Sequence, residues 1–238
     1  MYHFKGNMIN IILSHYLSYD FCYQTINTNT MNHIPPTQQT VNEEVQWNKE
    51  KTIVSKTDAF GTILYVNDVF CEASEYSKVE LIGEPHNIIR HPDMPKVAFK
   101  VLWKALKDGK NFHAIVKNRT KSGKYYWVIT DFIIDRNEKN EITGYTGRRK
   151  AVPNSVIEKI EPIYKTLVEI EKLKGEKASE LYFNAYLNEE IGKSYDEFVL
   201  DLFEEEVAKQ KKRNAIAKRE NIFKKGLNWF FVTEYEMS

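Results

Sequence analysis

The pattern of apolar and polar positions changes twice along the 238 residues of this chain and predicts three segments. Residues 1–45 are rich in Tyr, Asn, Thr and His without a repeating period, which is typical of a disordered or weakly structured segment. Residues 46–152 alternate short apolar runs with turn signals, which predicts an α+β domain. From residue 153 to 238 the apolar positions recur at helical spacing, which predicts an all-helical extension.

The middle segment contains five strand-like runs. Two of them flank the turn sequence DAFG and predict a hairpin, and three follow later, separated by the turn signals KSG and RNEKNE. Between the two groups, Asn67 is placed to cap a short helix, a further helical turn is predicted at Lys78 to Leu81, and a longer helix is predicted from Pro95 to Lys107. This order predicts a five-stranded antiparallel sheet with short helices on one face.

The most distinctive local sequence is EPHNIIRHPDMPKVAFKVLW at residues 84–103. Its two prolines in the RHPDMP string predict a kinked, non-helical turn that leads into a new helix. The turn and the helix present five side chains: Arg90, His91, Asp93, Phe99 and Trp103. Opposite charges and an imidazole beside aromatic rings suit a polar, planar, anionic ligand. A surface ion pair beside a core tryptophan is the alternative, and composition alone favours it.

This stretch, together with IVKNRTKSGKYYWV, resembles the flavin-binding PAS domain of the bacterial aerotaxis receptor (Aer-type) family, over residues 57–173. The resemblance implies a PAS fold that binds FAD, although spacing alone leaves FMN open, and it implies a redox or energy sensor for aerotaxis. It implies flavin contacts from seven residues: Asn67, Arg90, His91, Asp93, Phe99, Trp103 and Asn118. In one departure, the last strand has GYTGRRKAV where the family usually has G-Y-x-S-x-R-T, so Gly147 replaces a side chain.

Several of these residues have simpler interpretations. Asn67 is more often a cap or turn residue, whereas Asn118 lies in mid-strand, where asparagine is disfavoured, which supports a ligand-facing position. Cys71 lacks the N-C-R-F-L-Q context of light-sensing flavin PAS domains and is most simply a core residue. Two alternatives to a flavin sensor stay open: a haem PAS gas sensor with His86 or His91 as axial ligand, and a cofactor-free PAS interaction module.

Composition narrows the classes of function that the chain can have. The formal net charge of +1 gives no overall field for nucleic acid or membrane. The two cysteines lie far apart and form no disulfide framework or C-x-x-C pair. No histidine of the PAS segment has a second ligand at i+3 or i+4, so no metal site is predicted. With no apolar run of about 18 residues and no signal peptide, we expect a cytoplasmic protein. Because a flavin here would be a redox reporter without a substrate pocket, we do not expect an enzyme.

The helical extension predicts the output surface. Apolar residues from Val156 to Ile170 follow steps of 4, 3, 4 and 3, which predicts a helix that pairs with a second copy or packs on the sheet. The tail after residue 206 is basic and then aromatic, so peripheral membrane association is possible, although a solvated helix face is the simpler interpretation. The methyl-accepting signalling segments of the receptor family do not follow. We therefore expect a stand-alone PAS protein that signals in trans to a chemotaxis receptor or another signalling protein, with a homodimer possible.

Overall fold

The computed structural model describes residues 40–235, with side chains described to residue 221. The predicted segment 1–45 therefore lies mostly outside the described residues. The domain consists of strands β1–β5 and helices α1–α3, whose bounds are β1 Ile53–Asp58, β2 Ile63–Val66, α1 Asp68–Ser74, α2 Lys78–Leu81, α3 Lys96–Lys107, β3 Phe112–Arg119, β4 Tyr125–Arg136 and β5 Ile142–Ala151. A one-turn 3₁₀ helix, His86–Ile89, precedes α3.

The five strands form one antiparallel sheet in the order β2-β1-β5-β4-β3. Strand β5 lies at its centre, between β1 and β4, while β2 and β3 are the two edges. Helices α1–α3 cross one face of the sheet, and buried apolar residues from both layers form the core. The predicted α+β fold, with a five-stranded antiparallel sheet and a helical C-terminal region, is confirmed.

Asn67 holds the start of α1 against the first hairpin. Its side-chain oxygen accepts hydrogen bonds from the backbone N–H groups of Phe70 and Val54, both at 3.0 Å. Its amide nitrogen donates to the carbonyl of Thr52 at 2.8 Å. An asparagine at this position satisfies an orphan helical N–H and a strand N–H together, so its local role is that of an N-cap.

The proline-rich turn is kinked, as its sequence predicts. Pro95 has an extended backbone, with φ −65° and ψ 139°, and is the N-cap residue of α3. The helix itself begins one residue later, at Lys96. Met94 and Pro95 are both buried, whereas Pro92 is exposed. The C-terminal part of the turn, Met94 and Pro95, is therefore packed into the protein, while Pro92 faces solvent.

Three further helices follow the sheet: α4 Asn154–Lys174, α5 Glu176–Ala185 and α6 Tyr195–Tyr235, with a π-helical turn Tyr186–Ile191 before α6. Helix α4 packs on the sheet face opposite α1–α3, where Tyr164 stacks on Trp127 with ring centroids 6.2 Å apart. The predicted apolar seam is thus covered by the sheet; pairing with a second copy stays a prediction. Helix α6 is exposed on all sides from Val207 to Asn221.

The C-terminal helices also cover the free edge of β3. Asp196 accepts a hydrogen bond from the backbone N–H of His113 at 2.7 Å. The hydroxyl of Tyr195 accepts from the N–H of Ile115 at 3.3 Å, and the hydroxyl of Tyr164 donates to the carbonyl of Ile115 at 2.7 Å. Side chains therefore satisfy backbone groups that would otherwise be open to pairing with another strand.

Residues just before the sheet run along the beginning of β4. Val41 donates its N–H to the carbonyl of Gly123, and Val45 donates to the carbonyl of Tyr125, both at 2.9 Å. Val45 is buried. These contacts lie on the N-terminal side of the predicted domain start at residue 46, and the domain limits stay a prediction. Within residues 40–235, no helix is both long and apolar enough to cross a membrane.

Candidate ligand-binding cavity

A cavity of about 350 Å³ lies between the sheet and helix α3. Its size is within the lower part of the range for small-molecule sites. Helix α3 contributes apolar and aromatic side chains, and four strands contribute residues that alternate onto one face of the sheet. Three exposed residues mark its opening: Phe60, Pro85 and Asn87.

Four of the seven predicted flavin residues line this cavity: Arg90, Phe99, Trp103 and Asn118. The guanidinium of Arg90 lies 4.2 Å from the centre of the Phe99 ring, in a cation–π contact. Burial lowers the pKa of Arg90. Trp103 meets Tyr145 edge-on, with ring centroids 5.4 Å apart. Helix α3 and the kinked turn therefore bring a cation and two aromatic side chains to one wall.

The other three predicted residues do not line the cavity. Asn67 caps α1, as described above. His91 accepts a hydrogen bond at Nδ1 from the backbone N–H of Asp93 at 3.1 Å, and Asp93 pairs with Lys117 Nζ at 2.8 Å. Lys117 also lies 3.5 Å from Glu161 on α4. The structure thus joins the turn to β3 and to the C-terminal helices, and contact of these three residues with a cofactor stays a prediction.

The electrostatics of this turn follow from burial and from Lys117. Burial, followed by the Lys117 charge, lowers the pKa of His91 to about 4, against the opposing effect of Asp93. Burial raises the pKa of Asp93, but the hydrogen bond and charge of Lys117 outweigh it, so that the pKa lies below its usual value. At neutral pH, therefore, His91 is neutral and Asp93 is ionised.

Sequence reasoning missed a polar cluster on the sheet wall of the cavity. Arg149, on β5, is only 3% exposed. Its Nη1 donates to Ser55 Oγ at 2.9 Å, and its Nη2 donates to His86 Nε2 at 3.0 Å. The signal was present in the alternation of GYTGRRKA: Tyr145, Gly147 and Arg149 share one face, so one arginine of the pair must face the core side.

Two buried polar groups on the cavity wall have no hydrogen-bond partner among residues 40–221: the Asn118 amide nitrogen and the Thr130 hydroxyl. Burial raises the pKa of Tyr126, the cross-strand neighbour of Asn118, against the opposing effects of the Arg149 charge and the Asn118 amide; the Asn118 and Tyr126 side chains do not meet in hydrogen-bond geometry. Buried polar groups in native proteins are nearly always paired, so unpaired ones facing a cavity indicate a polar ligand. Aromatic walls with convergent donors fit a planar ring that carries acceptor atoms, as a flavin does.

Comparison with known proteins agrees with the fold. A family model described as a PAS fold matches residues 63–149. The chain is 42% identical over 118 residues to the aerotaxis receptor of Escherichia coli (strain K12), in a match that covers 50% of this chain and 23% of the receptor. It is 24% identical over 99 residues to the nitrogen fixation regulatory protein of Klebsiella oxytoca, covering 42% of this chain and 20% of that protein.

The matched region spans about a quarter or less of the length of these curated relatives. Among solved structures, the light-state LOV domain of the blue-light photoreceptor Aureochrome1 aligns with a TM-score of 0.41 and 21% identity, over 51% of this chain and 91% of that chain. The five-stranded antiparallel sheet with helices across one face gives the sheet domain of this chain a PAS fold, in agreement with the family match over residues 63–149.

Proposed function

We propose that this chain is a cytoplasmic, FAD-binding PAS sensor that reports redox or energy state to another signalling protein, in aerotaxis or energy taxis. The observation that carries the proposal is the set of unpartnered buried polar groups, Asn118 and Thr130, on the wall of an aromatic-lined cavity. Similarity to the aerotaxis receptor adds the sensory role. When bound, the flavin supplies reversible uptake of electrons, and we propose no catalytic residue.

The cavity residues would make different kinds of contact with the flavin. Arg90 offers a cationic fork on one wall, while Phe99 and Trp103 offer aromatic surface. Asn118 offers an amide whose nitrogen has no partner among the described side chains. The remaining predicted residues would act indirectly in this arrangement, Asn67 by capping α1 and the His91–Asp93 turn by fixing where Arg90 lies.

A haem sensor finds less support than a flavin sensor. Of the two candidate axial ligands, His86 has its Nε2 engaged by Arg149 and Ser55. His91 lies outside the cavity lining and accepts a hydrogen bond at Nδ1. A cofactor-free interaction module leaves the unpartnered groups of the cavity unexplained.

Cofactor analysis of the purified full chain tests the proposal. We expect a flavin spectrum, and we expect chromatography of the cofactor released by denaturation to identify FAD. Arg90→Ala should give folded but colourless protein, whereas Lys139→Ala, in the exposed turn between β4 and β5, should retain the flavin. A full chain that takes up no flavin from an excess of FAD would refute the proposed function, as would a Soret band in place of flavin bands.

Helix α4 is the proposed route of the signal. Glu161 of α4 lies 3.5 Å from Lys117, and Glu171 of α4 accepts a hydrogen bond from the backbone N–H of Val97 at 3.1 Å. These contacts join α4 to β3 and to the helix that lines the cavity. We expect chemical reduction of the loaded protein to change hydrogen exchange in α4 and α6. Equal protection of residues 142–235 in the oxidised and reduced protein would rule this route out.

A further inference from the structure

Arg149 is a buried cation with only neutral partners. Its Nη1 donates to Ser55 Oγ at 2.9 Å and to the carbonyl of Gly147 at 3.2 Å, and its Nη2 donates to His86 Nε2 at 3.0 Å. Within residues 40–221, no carboxylate lies within ion-pair distance of it. The Nε hydrogen and the second Nη2 hydrogen have no partner among the same residues. Because burying a charge without a counter-charge is costly, such a group indicates a ligand.

His86 does not compensate the charge. A guanidinium can only donate hydrogen bonds, so His86 Nε2 must act as the acceptor and carry no proton. The His86 residue as a whole is partly exposed, but its imidazole ring is enclosed by the protein. The ring packs edge-on against Phe70, with ring centroids 5.8 Å apart. Burial, followed by the Arg149 charge, lowers the pKa of His86 to about 3. The imidazole is therefore neutral, and the Arg149 charge stays unbalanced.

Gly147 determines where the guanidinium lies. A Cβ atom at Gly147 would be 2.7 Å from Arg149 Nη2 and 3.0 Å from its Cζ, which is too close for either atom to stay in place. The side chain of Arg149 therefore folds back over the glycine two residues before it. The resembling family usually has serine at this position and arginine at the position of Arg149, so the added space beside the arginine, and not the arginine itself, is particular to this chain.

The surroundings of the guanidinium are suited to a flat, acceptor-bearing ligand. Thr130, which is fully buried, lies directly across the sheet from Arg149 and carries a hydroxyl without a partner in the described part of the chain. Tyr145 lies on the same face of β5, beside Gly147, and its ring meets Trp103. Cationic donors, a hydroxyl and aromatic rings therefore line neighbouring parts of one cavity.

We propose that Arg149, positioned by the space over Gly147, binds two adjacent acceptors of the flavin ring, the N1 nitrogen and the C2 carbonyl oxygen. This inference rests on the proposed function and names the residue that recognises the ring. The Nε–H and the free Nη2–H of a guanidinium lie side by side in one plane and match two adjacent acceptor atoms. The aromatic residues beside it suit a ring better than a strongly hydrated phosphate group.

The charge has a second consequence. Two electrons from a chemical reductant and one proton from solvent leave the ring with one negative charge. A buried, unbalanced cation stabilises that charge more than it stabilises the neutral oxidised ring. Arg149 therefore makes the midpoint potential of the bound flavin less negative.

Two ligands and two substitutions of Arg149 test the assignment. Flavin-free full chain is titrated with riboflavin, which has no phosphate, and with FAD, following flavin fluorescence. Arg149→Met should weaken both ligands by the same factor, about 10- to 100-fold, the loss of a charged hydrogen bond. Arg149→Lys keeps the charge but not the fork, so it should weaken binding while largely retaining the midpoint potential of the bound flavin.

The neighbouring positions supply the controls. Gly147→Ala keeps Arg149 but displaces its guanidinium, so it should weaken both flavins by a smaller factor than Arg149→Met. Arg148→Met changes the adjacent arginine, which is exposed on the opposite face and pairs with Asp131. It should leave affinity and potential unchanged. Because Arg149 is unbalanced without ligand, Arg149→Met should retain or raise the thermal midpoint of the flavin-free chain.

Each other result overturns the assignment. Weaker binding of FAD with unchanged binding of riboflavin would indicate that Arg149 contacts a phosphate. Unchanged affinity for both ligands would show that Arg149 is not part of the binding site. Parallel losses of affinity and of flavin-free thermal stability in Arg149→Met would make it a structural residue. An unaltered chain that binds neither ligand would refute the proposed function and this inference together, whereas binding that is indifferent to Arg149 would refute the inference alone.

Discussion

Two buried cations lie on opposite faces of the same sheet and differ in their partners. Lys117 is 5% exposed and contacts Asp93 at 2.8 Å, Glu161 at 3.5 Å and the ring of Tyr125, 4.7 Å from its centre. Arg149 is 3% exposed and contacts only neutral groups. Burial alone therefore does not separate a structural cation from a ligand-binding one, whereas the presence of a counter-charge does.

One hydroxyl of the cavity face, that of Thr130, differs in the same way from the tyrosine hydroxyls of the other face. On the face covered by α4 and α6, Tyr164 and Tyr195 hydrogen-bond to each other and to the backbone of Ile115. On the cavity face, the Thr130 hydroxyl has no partner in residues 40–221. The two tyrosine hydroxyls of the first face are therefore paired within the protein, while the Thr130 hydroxyl of the second face lacks the partner that a buried polar group requires.

The largest expected difference between the faces concerns two tryptophans. Trp127 is 4% exposed and stacks on Tyr164, so Trp127→Ala should lower the free energy of unfolding by about 3–5 kcal/mol. Trp103 is half-buried and already borders open volume, so Trp103→Ala should lower it by about 1–2 kcal/mol while abolishing flavin binding. Urea unfolding of the flavin-free variants measures both values, and equal losses would erase the distinction between the faces.

A smaller effect is expected where the paired cation loses its main partner. Asp93→Asn should destabilise the chain by about 2 kcal/mol, less than the usual cost of breaking a buried pair, because Asp93 is half-exposed and Glu161 remains near Lys117. Adding Lys117→Met should restore most of the stability, since no buried unpaired charge is then left and Glu161 is half-exposed. If Asp93→Asn instead loses flavin at unchanged stability, Asp93 contacts the cofactor directly, as the sequence resemblance implies.

The fold could be predicted because its signals are local. The alternation of apolar and polar residues predicted the strands, and the two prolines around Asp93 predicted the kink before α3. The inward position of Asn118 was predictable too, because a polar residue in mid-strand is disfavoured without a purpose. Each of these conclusions needs only a residue and its near neighbours in the sequence.

Partners distant in sequence could not be predicted. Asp93 pairs with Lys117, 24 residues away. Lys117 also contacts Glu161 on α4, so this pairing connects the turn to that helix. Arg149 was missed because two arginines are adjacent, and either could face the core until the sheet register is known. The register places Arg148 beside Asp131 on one face and Arg149 across from Thr130 on the other.

The last expected effect is a pH dependence, which again distinguishes the His86–Arg149 cluster from the His91–Lys117 cluster. An unfolded histidine has a pKa near 6.5, whereas His86 in the folded chain has a pKa lowered to about 3 by burial and by the Arg149 charge. The unfolded chain therefore binds a proton first as the pH falls. The stability that depends on neutral His86 is complete above about pH 6.5 and is lost progressively towards pH 3. His91, beside Lys117, acts in the same direction between about pH 6.5 and 4.

Substitution by glutamine removes the titration but keeps an acceptor. In flavin-free protein, His86→Gln should reduce the slope of unfolding free energy against pH by up to about 1.4 kcal/mol per pH unit between pH 6 and 4, and less if His86 is partly solvated. Adding Arg149→Met to a chain with His86 intact should make this loss smaller and end it at a higher pH, because the folded pKa of His86 rises towards the unfolded value once the cation no longer opposes protonation. Asp93→Asn should leave the contribution of His86 unchanged, since Asp93 belongs to the other cluster. Denaturant unfolding at a series of pH values measures all three, and a His86 slope that responds to Asp93 rather than to Arg149 would show that the two clusters are not independent.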